Sequence, residues 1–195
     1  MIIKDFHCVE DCSDCCIKRQ YFPTVEYGKI GIFLLPNEKL EIESLAAEMS
    51  IRVNILPRIA IGGWKSPGPS KVIGFQLMGY HEGNYCPFLD VKSQDRTNHG
   101  GFVCTIYASR PLACKAYPAI KNYGNKVELD CNCKFACNDS IFANKKHLAN
   151  EILALRTIQK STEISGNSKI WRYATQIGEE KYKNIFLPRG WYLQN

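Results

Sequence analysis

Four cysteines fall within nine positions close to the start of the chain, at Cys8, Cys12, Cys15 and Cys16 in the stretch HCVEDCSDCC. Thiolates bind zinc and the irons of iron–sulfur clusters, and short spacings let one loop surround a single ion or cluster. Buried apolar thiols are the ordinary explanation for a lone cysteine, but a poor one for four so close together. The stretch therefore predicts a metal-binding loop.

The neighbouring pair Cys15 and Cys16 allows two geometries. On an extended backbone their side chains point to opposite sides, so that one loop could serve two metal centres. In a tight turn both thiols could reach the same centre. The sequence leaves both open.

The cysteines also bear on the compartment. The N-terminus, MIIKDFHCVEDC, lacks the apolar run of a signal peptide, and no segment approaches the roughly 20 apolar residues of a membrane span. We therefore expect a cytoplasmic protein with no membrane partner, in which the ten cysteines bind metal. Structural disulfides are the alternative, because intracellular proteins of some hyperthermophiles contain them.

Length and charge constrain the chain less. A chain of 195 residues can bury one substantial core, and we expect a single domain over 1–195 with a mainly helical C-terminal part from about 138. The net charge of +6 permits a nucleic-acid partner without indicating one.

The apolar patterns predict short strands and helices in alternation. They indicate a buried strand over 28–36 and a hairpin over 71–91 that carries Cys86. Between these, a helix to about Ser50 has a predicted apolar face formed by Leu40, Leu45, Ala46 and Met49. A short strand over 102–107 carries Cys104, and a brief helix after Pro111 carries Cys114 and ends at Tyr117-Pro118.

In the last third, a strand from Lys126 runs into a turn that carries Cys131, Cys133 and Cys137. A long helix follows, capped by Asn138 or Asp139 and reaching about Glu163, with Ile152 and Leu155 on its apolar face. A shorter helix is predicted within 171–187. The predicted fold class is α+β, a small mixed domain with short strands and helices around a cysteine-ligated metal centre.

Three of the later cysteines lie in distinctive surroundings: Cys86 in CPFLD, Cys104 in CTIY and Cys114 in RPLACKAYP. Together with the first four, their order resembles the YkgJ-type cysteine-cluster family, which is named for a CxxCxxCC pattern and proposed to chelate zinc or iron. The resemblance covers roughly the first two thirds of the chain. It implies ligand roles for the seven residues Cys8, Cys12, Cys15, Cys16, Cys86, Cys104 and Cys114. It also implies that Arg110, Pro111, Tyr117 and Pro118 shape the site.

Two features depart from the family pattern. The gap between Cys8 and Cys12 is one residue longer than the pattern, and at most one member of the trio Cys131, Cys133 and Cys137 matches it. Seven matched cysteines and one from the trio make eight, enough for two four-sulfur centres. Zinc and an iron–sulfur cluster both suit such ligands.

The four histidines offer little to the site. His7 could replace a cysteine as a ligand, but a histidine beside a ligand is as often a surface group. His81, His99 and His147 show no partner pattern, and we expect them to be exposed to solvent.

Three other functions were considered, and none of them assigns a catalytic residue. The Cys8, Cys12 and Cys15 spacing is that of radical S-adenosylmethionine enzymes, but Asp14 stands where they usually carry an aromatic residue. Through the family resemblance, the chain is also similar to flagellin lysine methylases, although it lacks a clear glycine-rich cofactor loop. A zinc-stabilised nucleic-acid-binding protein would use the basic and aromatic residues Lys145, Lys146, Arg156, Lys160, Trp171, Arg172 and Tyr173. A protein partner is compatible with each of these.

Overall fold

The computed structural model describes residues 9–17, 31–79, 85–123, 126–139, 142–144, 146, 148–164, 166–173 and 191–193. The helices are α1 Asp14–Ile17, α2 Pro36–Glu48, α3 Leu112–Ala116, α4 Lys134–Asp139 and α5 Ala149–Ser161. The strands are β1 Gly31–Leu34, β2 Ile55–Gly63, β3 Lys71–Met78, β4 Leu89–Asp90, β5 Val103–Cys104, β6 Ala119–Tyr123, β7 Lys126–Leu129, β8 Phe142–Asn144, β9 Ser168–Tyr173 and β10 Trp191–Leu193. This mixture of helices and small antiparallel sheets confirms the predicted α+β class.

A five-stranded antiparallel sheet in the order β1-β3-β2-β9-β10 forms the largest unit. The hairpin predicted over 71–91 is wrong, because β3 pairs with β1 and β2, whereas β4 pairs with β5. Strand β3 is buried over most of its length and lies between β1 and β2 in the sheet. Cys86 therefore lies in a separate segment and not on the sheet.

Helix α2 packs on this sheet and closes the first core, which includes Ile42 and Ala46. The predicted apolar face is confirmed at Ala46, which is buried, and is wrong at Leu40 and Met49, which are 67% and 39% exposed. The buried face follows the four-residue spacing of Glu38, Ile42 and Ala46. A glutamate can occupy it because its carboxylate accepts two backbone hydrogen bonds.

Helix α5 packs beside the sheet formed by β6, β7 and β8 and builds a second core. Ile152 and Leu155 are buried as predicted. The predicted start of this helix is wrong, because 134–139 form the short helix α4 and 142–144 pair with β7 as β8. Strand pairing has overridden the helical periodicity there.

The C-terminal residues also differ from the prediction. Residues 171–173 belong to β9, which pairs with β2, whereas 174–187 lie outside the described residues. The single domain with a mainly helical C-terminal part stays a prediction.

Helix α3 lies between the two cores. Ala113 is fully buried in the first core and Ala116 is buried in the second, while Leu112 packs against both. The cysteine of this helix, Cys114, is thereby held where the two cores meet. None of the helices within the described ranges is long and apolar enough to cross a membrane.

Candidate metal centre

The N-terminal cysteine loop folds into a turn and then a single turn of helix. The N–H of Cys12 donates to the carbonyl of Val9 over 3.1 Å, and the N–H of Cys16 donates to the carbonyl of Ser13 over 2.9 Å. Cys15 and Cys16 lie within α1, and their Sγ atoms are 3.8 Å apart. Of the two geometries that the sequence left open, the structure adopts the tight turn, which brings both thiols to one place.

Two contacts join this loop to the segments that carry other cysteines. The N–H of Cys86 donates to the carbonyl of Cys16 over 2.7 Å. The ammonium group of Lys134, next to Cys133, lies 3.6 Å from the carboxylate of Asp14. Cys86 and Cys133 are thus fixed beside the loop although they are distant in sequence.

The loop also contacts the 97–102 segment. The N–H of Asp11 donates to the carbonyl of His99 over 2.7 Å, and the N–H of Phe102 donates to the buried hydroxyl of Ser13 over 2.8 Å. A Cβ at Gly101 would lie 2.5 Å from the carbonyl oxygen of Cys12. Glycine is therefore required at this position for the two backbones to approach so closely.

These segments surround a cavity of about 220 Å³. Seven thiols line it, from Cys12, Cys15, Cys16, Cys86, Cys104, Cys114 and Cys133. None of these seven cysteines forms a disulfide, and neither does the exposed Cys131. In the part of the chain that the structure describes, no three cysteine, histidine or carboxylate side chains converge closely enough to hold one metal ion. The thiols therefore surround a space and do not meet at a point.

The pKa of the Cys16 thiol is raised well above its ordinary value. The main cause is the hydrogen bond with Cys15, followed by burial. The negative charges that Cys15, Cys86 and Cys114 carry as thiolates raise the pKa further. Such mutual repulsion is what a bound cation would relieve, and the donor set therefore fits a metal group.

Burial also raises the pKa of Cys104 and that of Cys133. Cys15 contributes to both shifts, whereas the guanidinium of Arg110 opposes the shift at Cys104. Cys15 thus interacts electrostatically with thiols from three other positions along the chain, at Cys16, Cys104 and Cys133. Cys16 interacts in the same way with Cys15, Cys86 and Cys114.

We expect the metal-free, reduced chain to lose stability at alkaline pH. A thiol whose pKa is raised by folding stabilises the fold fully below the unfolded value of about 8.5, and that contribution is lost as the pH rises through the folded value. The melting temperature should therefore be lower at about pH 9.5 than at about pH 7. The Cys16→Ala variant should show a smaller drop, and an equal drop in both proteins would rule out the Cys16 thiol as its cause.

Several other predicted residues border the same cavity. Arg110, Pro111 and Tyr117 line it, and Pro118 is buried beside them. The guanidinium of Arg110 stacks over the ring of Tyr107 at 3.7 Å and donates to the Tyr107 carbonyl. The site-shaping role that the family resemblance implied for these residues stays a prediction.

His99 is half-buried and lines the cavity, whereas the sequence predicted an exposed side chain. A hydrogen bond to the hydroxyl of Thr97 holds its ring. The sequence around His99 is typical of a polar, exposed loop. Its burial depends on the backbone contact with Asp11, which is distant in sequence. His7, His81 and His147 lie outside the described residues.

The remaining cysteines differ in what the structure says of them. Cys131 is exposed and does not line the cavity. Cys137 lies in α4, but its side chain is not described, and Cys8 lies outside the described residues. The structure therefore separates Cys131 from seven of the ten predicted ligands.

Two of the residues predicted to bind nucleic acid are buried. Trp171 is 2% exposed and Arg172 is 8% exposed, both within β9. Tyr173 packs edge-on against Trp191 with ring centroids 5.2 Å apart. Trp171 and Arg172 are too buried to stack on bases or to contact phosphates.

A chain rich in cysteines that line one cavity is of the metal-chelating class. Residues 7–134 match the model of the CxxCxxCC family, titled "Putative zinc- or iron-chelating domain". The chain belongs to this family, as the order of its cysteines predicted. No curated protein and no solved structure matches the chain.

Proposed function

We propose that the chain binds an iron–sulfur cluster in the thiol-lined cavity. The observation that carries the proposal is the arrangement of seven thiols around about 220 Å³. Within the described ranges, no three donors are close enough for a single ion. A cluster contains several irons and its own inorganic sulfides, so its protein ligands stand apart around it.

The proposed ligands are the seven cavity thiols. Cys8 and Cys137 remain candidates from the family resemblance and the sequence, and exposed Cys131 is left out. Because the Cys15 and Cys16 thiols are 3.8 Å apart and line the same cavity, we propose one centre here in place of the two that the sequence predicted. The cations of Arg110 and Lys115, which also line it, would offset part of the thiolate charge.

A bound cluster would supply one-electron redox chemistry. The residues of this chain would hold it, limit the access of water and adjust its reduction potential through hydrogen bonds to sulfur. A protein that exchanges electrons with the cluster is the corresponding partner. Lysine methyl transfer stays a prediction of the family resemblance.

Zinc is the second candidate, and the Cys15–Cys16 distance favours it. Sulfurs around a tetrahedral zinc with Zn–S bonds of about 2.3 Å are about 3.8 Å apart. The Sγ atoms of this pair are separated by 3.8 Å. This pair therefore has the spacing of two ligands of one zinc ion.

Anaerobic purification of the full chain, followed by assays of iron, acid-labile sulfide and zinc, tests the proposal. We expect a coloured protein with iron and sulfide in roughly equal amounts. A colourless protein that contains zinc alone would contradict the cluster and support the second candidate. A protein without any of the three would contradict metal binding at this cavity.

A further inference from the structure

Glu38 is a buried carboxylate that lies outside the cavity and serves two elements at once. Its Oε2 accepts the N–H of Leu35 over 2.8 Å, directly before α2. Its Oε1 accepts the N–H of Leu112 over 2.6 Å, at the first residue of α3. Each carboxylate oxygen therefore has one backbone donor, and the two donors belong to distant parts of the chain.

The second of these bonds compensates for a weakness of α3. This helix has only five residues, and it has no side-chain cap of its own because Pro111 precedes it. The first N–H groups of a helix have no partner within the helix, and so short a helix is unstable in isolation. The negative charge of Glu38 satisfies the Leu112 N–H and favours the positive end of the helix dipole.

The segment that Glu38 anchors forms one wall of the cavity. Arg110, Pro111, Cys114, Lys115 and Tyr117 all line it. The N–H groups of Cys114 and Lys115 both donate to the carbonyl of Pro111, so the helix is one tight unit from its first turn. A shift at Leu112 is therefore transmitted to the Cys114 thiol.

We propose that Glu38 is a positioning residue for the metal centre, and that it fixes Cys114 by holding Leu112. This inference rests on the proposed function, because it concerns a bound metal. It assigns a role at the site to a helix that the sequence predicted only as core material. A carboxylate buried at 7% exposure in an apolar face is costly unless both of its oxygens are used, as they are here.

The Glu38→Gln variant tests this role. Its amide offers one acceptor oxygen in place of two, and its NH2 group would face one of the two N–H donors. Glu43→Gln is the matched control, because it makes the same chemical change on the same helix. Glu43 pairs with Lys39 at 2.6 Å on the solvent side and is 42% exposed.

We expect Glu38→Gln to release its metal to a chelator roughly tenfold faster than the wild type, and Glu43→Gln to release it at the wild-type rate. The visible and electron paramagnetic resonance spectra of the bound cluster should change in Glu38→Gln alone. A purely structural role would lower the melting temperature and leave these spectra as they are. If Glu38→Gln is not recovered folded, Glu38→Asp keeps the charge with a shorter reach and should show the same changes to a smaller degree.

Hydrogen exchange on the metal-free chain separates the two proposals. The peptide covering 110–117 should exchange faster in Glu38→Gln than in the wild type and in Glu43→Gln. A wild-type chain without metal would overturn the proposed function, and with it the role of Glu38 at the metal, even if exchange is faster. A metal-loaded Glu38→Gln with wild-type spectra and release rate would overturn the role of Glu38 alone.

Discussion

The Cys15→Ser variant is expected to retain less than about a tenth of the metal bound by the wild-type chain under the same loading conditions. Its Sγ lies 3.8 Å from that of Cys16, and its charge raises the pKa of Cys104 and of Cys133. Loss of the Cys15 thiol would therefore disturb thiols from several segments together. A serine hydroxyl is a poor substitute, because it is not deprotonated near neutral pH and is a harder ligand than a thiolate.

Cys131→Ser provides the matched control, since it makes the same substitution at an exposed cysteine that does not line the cavity. Metal per chain should be unchanged in this variant. Iron, sulfide and zinc would be measured in both variants after anaerobic purification. Equal losses in the two variants, or none in Cys15→Ser, would contradict the assignment of ligands to the cavity.

Removal of the metal is expected to lower the melting temperature of the wild-type chain by more than about 10 °C. The cavity thiols come from segments between Cys12 and Cys133, so a bound metal cross-links parts of the chain that are far apart in sequence. Ligands assembled only in the folded state make the free energy of metal binding part of the free energy of folding. The seven thiols would also regain their mutual repulsion.

Thermal unfolding of the loaded and chelator-treated chain, both under reducing conditions, measures this effect. The Cys15→Ser variant is the control, because it should already melt at a temperature near that of the stripped wild type and respond little to chelator. A stripped wild-type chain that melts at the temperature of the loaded chain would show that the metal has no structural role.

The sequence correctly predicted features that depend on residues close together in the chain. The apolar face of α5 is an example, because Ile152 and Leu155 repeat at helical spacing and pack on one core. The start of that helix could not be predicted, since residues 142–144 pair with β7, a contact that the helical pattern does not encode. The exposure of Leu40 was missed in a similar way, because the buried face of α2 includes Glu38, whose carboxylate accepts a hydrogen bond from the N–H of Leu112, 74 positions away.

The candidate site was likewise predictable only in part. The spacing of Cys12, Cys15 and Cys16, together with the family resemblance for three later cysteines, predicted six of the seven thiols that the structure brings to one cavity. The seventh, Cys133, was predicted only as one of three alternatives. The sequence could not distinguish Cys131 from Cys133, which are two positions apart in the same turn. Their difference arises because the turn packs Cys133 into the second core and leaves Cys131 outside. The half-buried His99 was missed because its contact with Asp11 joins segments that are far apart in the sequence.

The position of α3 between the two cores has a consequence for the biogenesis of the protein. Cavity residues extend along the chain from Val9 to Glu151, so the complete cavity cannot exist on the ribosome until most of the chain has emerged. Contacts of such long sequence separation form late in folding. Insertion of the proposed metal would therefore follow the docking of both cores, and the rate at which newly made chains acquire metal would report how fast that docking occurs.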